Sequence, residues 1–211
     1  CKSEIEETLG YVAKSVQCID RIIVSTDNLD IANAAIKGGA DAPFMRPEDL
    51  SGDFISDFEV LTHALLKIEL LDKCKYDVIV MLQPTSPLRL SKHIIETIEK
   101  LTKNNFDSVW TISETDSKSH PQKQLIAKNN LLGYYDKKGH EVIARQQLET
   151  LYHRNGIAYA ISRDCLINKK SIMGKKTGYV ICDGNHISID TEWDLFLVNF
   201  IVDNEMMENS S

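Results

Sequence analysis

The sequence is short of cysteine, of long apolar runs and of basic charge, and each shortage closes off a class of protein. Its five cysteines, at positions 1, 18, 74, 165 and 182, are scattered and include no CxxC pair. That spacing favours reduced thiols in a cytoplasm over a disulfide framework or a zinc site. No segment reaches the roughly 20 consecutive apolar residues that a membrane-spanning helix needs. The opening CKSEIEETLGYV lacks both the basic flank and the apolar run of a secretory signal. A chain that starts on Cys1 rather than Met reads as truncated or processed. The formal net charge of -7 argues against a general nucleic-acid binder, which needs a basic face to meet phosphates. A small anionic ligand remains compatible, because a few local cations can hold it. Internal repeats and low-complexity segments are also lacking.

What is present is an ordinary globular composition, 43% apolar and 26% charged over 211 residues. It is enough for one large domain with a real core. Ile5, Leu9, Val12 and Val16 recur at helical spacing, and RIIVS at 21–25 reads as a buried strand. Asp27 and Asn28 are placed to cap a helix from about Leu29 to Lys37, which Gly38 and Gly39 can stop. A short strand is expected around Ala42–Met45. Asp57 stands as the cap of a helix with Phe58, Leu61, Leu65 and Ile68 on its inner side, where His63 reads as a core residue.

The run DVIVML at 77–82 predicts a central strand, and Ser91 a cap for a helix burying Ile94, Ile98 and Leu101. FDSVWTIS at 106–113 is a further strand. From 114 to 155 the pattern loosens, with short strands at 123–127 and 131–135, where a lobe or arm would sit. GIAYAIS at 156–162, a short helix after Arg163, TGYVIC at 177–182 and a last helix follow. In that helix Trp193, Phe196, Leu197, Phe200 and Ile201 form a stripe expected to dock on the sheet. Sustained alternation of strand and helix implies an α/β fold with a mostly parallel sheet covered on both faces.

In such sheets ligands collect beyond the carboxyl ends of the strands. Gln83 sits at one of these ends, in a turn whose Pro84 and Pro87 fix their own φ and hold Gln83, Thr85 and Ser86 in defined positions. The alternative is a turn whose prolines merely end the strand.

LQPTSPLR at 82–89 resembles the signature of the acylneuraminate cytidylyltransferases, the CMP-sialic acid synthetases and their relatives. The stretches VSTDNLDIANAAIKGGA, RPEDLSGDFISDFEVLTHAL, SVWTIS with HPQK, RQQLETLYHRNGIAYAIS and SIDTEWDLFLV follow in the order and approximate spacing of that family. Together they cover residues 21 to about 200. The resemblance implies a three-layer, Rossmann-like nucleotide-diphospho-sugar transferase fold over 1–211, truncated at its amino end, with a dimerisation arm within 114–175. It also implies a cytoplasmic homodimer using CTP, Mg²⁺ and an acidic nine-carbon sugar. The sugar's anomeric hydroxyl attacks the α-phosphate and pyrophosphate leaves, a reaction that rests on positioning and electrostatics.

Asp190 in SIDTEWD is the expected ligand of the hard cation. Ser188 stands where the family commonly has a further aspartate, and the alternative is that Asp190 and Thr191 only cap the last helix. Gln83, Arg145 and Asp190 are the expected catalytic residues. Gln83, Lys123, Arg145, Asn155 and Gly156 are expected to meet the sugar, and Arg46 and Ser56 the nucleotide. The family's amino-terminal basic loop has no counterpart before Ile22. That difference keeps open a second reading, a non-catalytic homologue that binds nucleotide, sugar or a protein partner.

Overall fold

The computed structural model describes Ala13, residues 16–184 and residues 186–208, the last four as backbone only. The helix expected over Ile5, Leu9 and Val12 lies outside the described residues, whereas Val16 is buried in the core. Segments 22–26 and 41–45 run parallel and join through two single bridges, Ile23 to Asp41 and Thr26 to Met45. The strands expected there are thus extended chain with minimal pairing. Between them runs helix α1, Leu29–Lys37. Asn28 caps it, its side-chain oxygen accepting the N–H groups of Asp30 (2.8 Å) and Ile31 (3.2 Å). Asp27 faces Arg46 instead, at 3.6 Å.

Helix α2, Asp57–Asp72, is capped one residue earlier than the sequence suggested. Ser56 and Glu59 form a reciprocal capping box, which satisfies two orphan amide groups where Asp57 alone would satisfy one. Strand β1, Val78–Met81, leads through the proline turn to α3, Ser91–Asn104. Ser91 is the first helical residue rather than the cap, and the ring of His93 accepts the Leu90 N–H at 3.1 Å. Strand β2, Ser108–Glu114, follows. The arm then carries β3, Leu125–Lys128, and β4, Leu131–Tyr134, a hairpin closed by Asn129 and Asn130 with φ of 53° and 61°. Two successive positive φ values in asparagines are the chemistry of a two-residue hairpin turn. Strand β5, Tyr152–Ser162, helix α4, Arg163–Ile167, strand β6, Thr177–Ile181, and helix α5, Glu192–Glu208, complete the chain.

The main sheet has the order β1-β5-β2-β6. Strands β1, β2 and β6 share one direction, and β5 lies between β1 and β2 antiparallel to both. The sheet is thus mixed: three of its four strands keep the expected common direction and β5 runs against them. Its cause is the connection: β2 continues directly into the arm, and the chain returns as β5 without a crossover helix, so the two pair as a hairpin with the arm as its loop. The Thr115 N–H closes that loop on the Leu151 carbonyl at 2.8 Å.

Helix α3 covers one face, packing Ile94 and Leu101 against Ala158, Ala160 and Val109. Helices α2 and α4 cover the other, with Leu65, Cys165 and Leu166 against Ile161. Two bonds of 2.7 and 2.9 Å from the Arg163 guanidinium to Glu69 tie α4 to α2. Between these layers β5 is buried from Asn155 to Ile161. Helix α5 departs from expectation: Val198 is its buried contact, while Trp193, Phe196 and Phe200 stay 65%, 57% and 59% exposed. Apolar residues surround this helix on nearly all sides, so periodicity alone could not choose the docking face.

Candidate active site

The carboxyl end of β1 meets the start of β5 in a closely knit floor. The Gln83 N–H donates to the Gly156 carbonyl at 3.1 Å, and the Ser86 hydroxyl donates to the Asn155 carbonyl at 2.7 Å. Gly156 has φ +73°, a conformation side-chain-bearing residues rarely adopt. A Cβ there would strike the Gln83 side-chain oxygen and lie 2.6 Å from the Ser86 hydroxyl. Glycine is therefore required both by its dihedral and by the close approach of Gln83. The Gly156 N–H donates to the phenol oxygen of Tyr159 at 2.7 Å, and that ring stacks on Trp110 at 4.7 Å. Burial pushes the Tyr159 phenol up, which keeps it protonated.

Beneath the turn lies Arg89, only 2% exposed. Its guanidinium donates to three backbone carbonyls, those of Ser86 (3.0 Å), Ile157 and Gln83. No carboxylate pairs with it among the described residues. Burial pushes its pKa down to about 9, so it is still a cation at neutral pH. The sequence reading missed Arg89. A cation set between Leu88 and Leu90 directly after a proline turn was the available signal.

The loop before α5, which carries Asp190, is tied to this turn by the Ile189 N–H donating to the Thr85 carbonyl at 2.8 Å. Thr191 and Asp194 form the cap of α5: the Asp194 carboxylate accepts from the Thr191 N–H at 2.8 Å, its hydroxyl at 2.7 Å and the Asp190 N–H at 3.1 Å. Those hydrogen bonds hold Asp194 below the usual carboxylate range. The Asp190 carboxylate itself is exposed and makes no hydrogen bond or ion pair among the described residues. Of these two acids, it is the one with oxygens to offer a hard cation. Mg²⁺ characteristically takes one or two carboxylates, keeps waters and adds substrate phosphates, so the donor set fits.

The other expected site residues fall into two groups. Asn155 is at the floor but its amide is spent inside the sheet, with Oδ1 2.7 Å from the Thr111 hydroxyl and Nδ2 donating to Ser113 at 3.0 Å. Its side chain builds the site rather than lining it. The Gln83 amide, by contrast, makes no hydrogen bond to a described residue and remains available. Lys123 and Arg145 belong to short 3₁₀ turns in the arm, both exposed, and neither hydrogen-bonds or pairs with the floor.

Arg46 and Ser56 lie on the α1–α2 side. The Ser56 hydroxyl is held by Glu59 at 2.7 Å. On this side, several buried polar atoms have no partner among the described residues: Arg46 Nε, Ser25 Oγ and both ring nitrogens of His63. The bridge from Thr26 to Met45 makes Ser25 and Phe44 neighbours, and His63 packs edge-on against Phe44 at 5.3 Å. His63 is thus not the satisfied core residue its helical position suggested. Unpaired buried donors and acceptors cost about 1–3 kcal/mol each and are met where a polar ligand completes them.

A family model described as cytidylyltransferase matches residues 9–192. The chain is 31% identical over 191 residues to post-translational flagellin modification protein B of Campylobacter coli, covering 90% of this chain and 80% of that protein. It is 28% identical over 175 residues to CMP-N,N'-diacetyllegionaminic acid synthase of Legionella pneumophila, covering 83% and 74%. Among solved structures, CMP:2-keto-3-deoxy-manno-octonic acid synthetase complexed with CTP superposes with a TM-score of 0.64 at 15% identity, covering 95% of this chain and 88% of that one. At that identity the likeness shows the fold alone.

Proposed function

We propose a specific reaction for a chain that belongs to the cytidylyltransferase family: transfer of the cytidylyl group of CTP to the anomeric hydroxyl of a sialic-acid-like nonulosonic acid. That the chain is a nucleotidyltransferase follows from the family itself. The sugar class is supported by the relative named for CMP-N,N'-diacetyllegionaminic acid synthesis. The observation that carries the reading is the hydrogen bond from the Ile189 N–H to the Thr85 carbonyl, which ties the loop carrying Asp190 to the turn that carries Gln83.

In the proposed reaction the anomeric oxygen forms a bond to the α-phosphorus, and the bond from that phosphorus to the oxygen bridging to the β-phosphate breaks. Pyrophosphate departs with the bonding pair, and the hydroxyl proton passes to solvent. The Gln83 amide orients the sugar, and Gly156 lets it approach the backbone. Arg89 lends positive charge from below, which favours anions and developing negative charge. Asp190 holds Mg²⁺, which when bound neutralises phosphate charge.

Arg46, with the unpaired Ser25 and His63 beside it, takes the nucleotide side. Ser56 joins it only by giving up its bond to Glu59. Lys123 and Arg145 meet the acidic sugar and phosphates. Both stand in an arm whose hairpin is exposed along its whole length. In this proposal a second copy of the chain covers the arm and receives its cations.

Pyrophosphate release from CTP and Mg²⁺, measured with the full-length protein across neuraminic, legionaminic and pseudaminic acids, tests the reading. Release with at least one of these sugars is expected. No release with any of them overturns it.

A further inference from the structure

Next to the floor, three potential metal ligands come together from two separate segments: His93 in the first turn of α3, Cys182 just past β6, and His186 in the loop that continues to Asp190. One ring nitrogen of each histidine and the Cys182 sulfur all lie within 4.8 Å of one another. The two rings stand edge to face at 5.3 Å.

The surroundings orient two of these ligands. His186 Nε2 lies 3.0 Å from the Asp183 carbonyl, the outer bond by which protein histidines commonly fix their tautomer for a metal. Its Nδ1 is buried and has no partner among the described residues. Burial pushes the Cys182 thiol up, while a hydrogen bond from the Asn155 side chain favours its thiolate. His93 and Cys182 are both buried.

We propose that His93, Cys182 and His186 form a second metal site, distinct from the Mg²⁺ position, for a borderline-soft divalent cation of the zinc class. The donor set decides the class: two imidazoles and a thiolate suit Zn²⁺ or Co²⁺, whereas Mg²⁺ selects oxygen. Three protein ligands leave one position for water. A metal with bonds of about 2.0–2.3 Å would join the three ligands directly, tying the loop of His186 to α3. That loop also carries Asp190, so the metal would act as a clamp on the free carboxylate of the floor.

Loading has a defined proton balance. The Cys182 thiol loses its proton to solvent as sulfur bonds the metal. His93 Nδ1 accepts the Leu90 N–H, so the ring hydrogen of neutral His93 resides on Nε2. Binding through Nε2 shifts that hydrogen to Nδ1, with no net release, and ends the bond from Leu90. One proton therefore leaves per metal, and the cap of α3 loosens as the loop tightens.

The test uses the full chain, stripped with a chelator and titrated with Co²⁺ alone. The expected result is one Co²⁺ per chain, with a thiolate-to-cobalt charge-transfer band in the near ultraviolet, displacement by Zn²⁺, and one proton released per Zn²⁺. Cys182→Ser should abolish the band, and His186→Gln should weaken Zn²⁺ binding by at least the roughly 10- to 100-fold seen when supporting ligand contacts are lost. Metal-free variants should match the wild type in near-ultraviolet circular dichroism. If Cys182→Ser does not fold, the proton count and His186→Gln remain decisive. Absence of the band, or a band unchanged in Cys182→Ser and hence due to another of the five cysteines, would overturn the proposal. None of these readings depends on turnover, so their failure would leave the proposed reaction standing.

Discussion

The floor beneath Gln83 and the arm between β2 and β5 are built on opposite terms. In the floor, one buried guanidinium ties together the carbonyls of residues 83, 86 and 157, and the Asn155 amide is consumed by neighbouring hydroxyls. In the arm, Leu131 and Leu132 are each 73% exposed and Ile143 is 92% exposed. The floor is held together by hydrogen bonds within one chain. The arm has apolar surface and exposed cations, Lys123 and Arg145 among them, that form no ion pair with the described residues, which is the condition of a part that functions against something else.

This contrast can be broken most severely at Arg89. Arg89→Met leaves three buried carbonyls without their donor and should destabilise the protein by about 2–4 kcal/mol in urea unfolding. A loss below about 1 kcal/mol would mean that the turn holds itself. Next is Asp190→Asn, for which turnover should fall about a hundredfold, a loss of about 2.7 kcal/mol in transition-state stabilisation, with the melting temperature unchanged. Asp194→Asn should do the reverse, lowering stability by about 1 kcal/mol through the α5 cap while sparing kcat. Gly156→Ala forces a side chain into a positive-φ position against Gln83, and about 1–2 kcal/mol of stability should be lost together with about tenfold in kcat/KM. Lys123→Ala should leave stability unaltered and raise the KM for the sugar by about fivefold, roughly 1 kcal/mol.

A smaller effect concerns the framework beneath the floor. The Arg163 side chain holds the Glu69 carboxyl below its ordinary range. Its contribution to stability is therefore present above the unfolded carboxylate value of about 4.3 and disappears as pH falls through the depressed folded value. Thermal melts of wild type and Glu69→Gln should differ at pH 7 and converge in acid. Parallel curves throughout would remove Glu69 from the acid response.

Much of this organisation was legible in the sequence. The bounds of α1, the strand ending at the proline turn, and the hairpin in the arm follow from local periodicity and turn chemistry. What was not legible depended on distant partners. The reversed direction of β5 is set by the arm's return path, and the capture of Asn155 by Thr111 and Ser113, which join it across 44 and 42 residues, has no local trace. The capping box of Ser56 with Glu59 was visible as Ser-x-x-Glu, although Asp57 was the expected cap. The exposed aromatics of α5 show the limit of periodicity in a helix apolar on most sides. The grouping of His93, Cys182 and His186 is invisible to a search for close cysteine spacing, since the ligands lie 89 and 4 residues apart along the chain.

Subunit mixing of Asp190→Asn with Arg145→Ala tests the division between floor and arm most directly. Each variant alone should be nearly inactive in pyrophosphate release. After random exchange of subunits, the account predicts recovery to about a quarter of wild-type activity, the share of sites that combine an intact floor with an intact arm from the other copy. No recovery on mixing, with exchange demonstrated independently, would place arm and floor of one site in the same chain and contradict it.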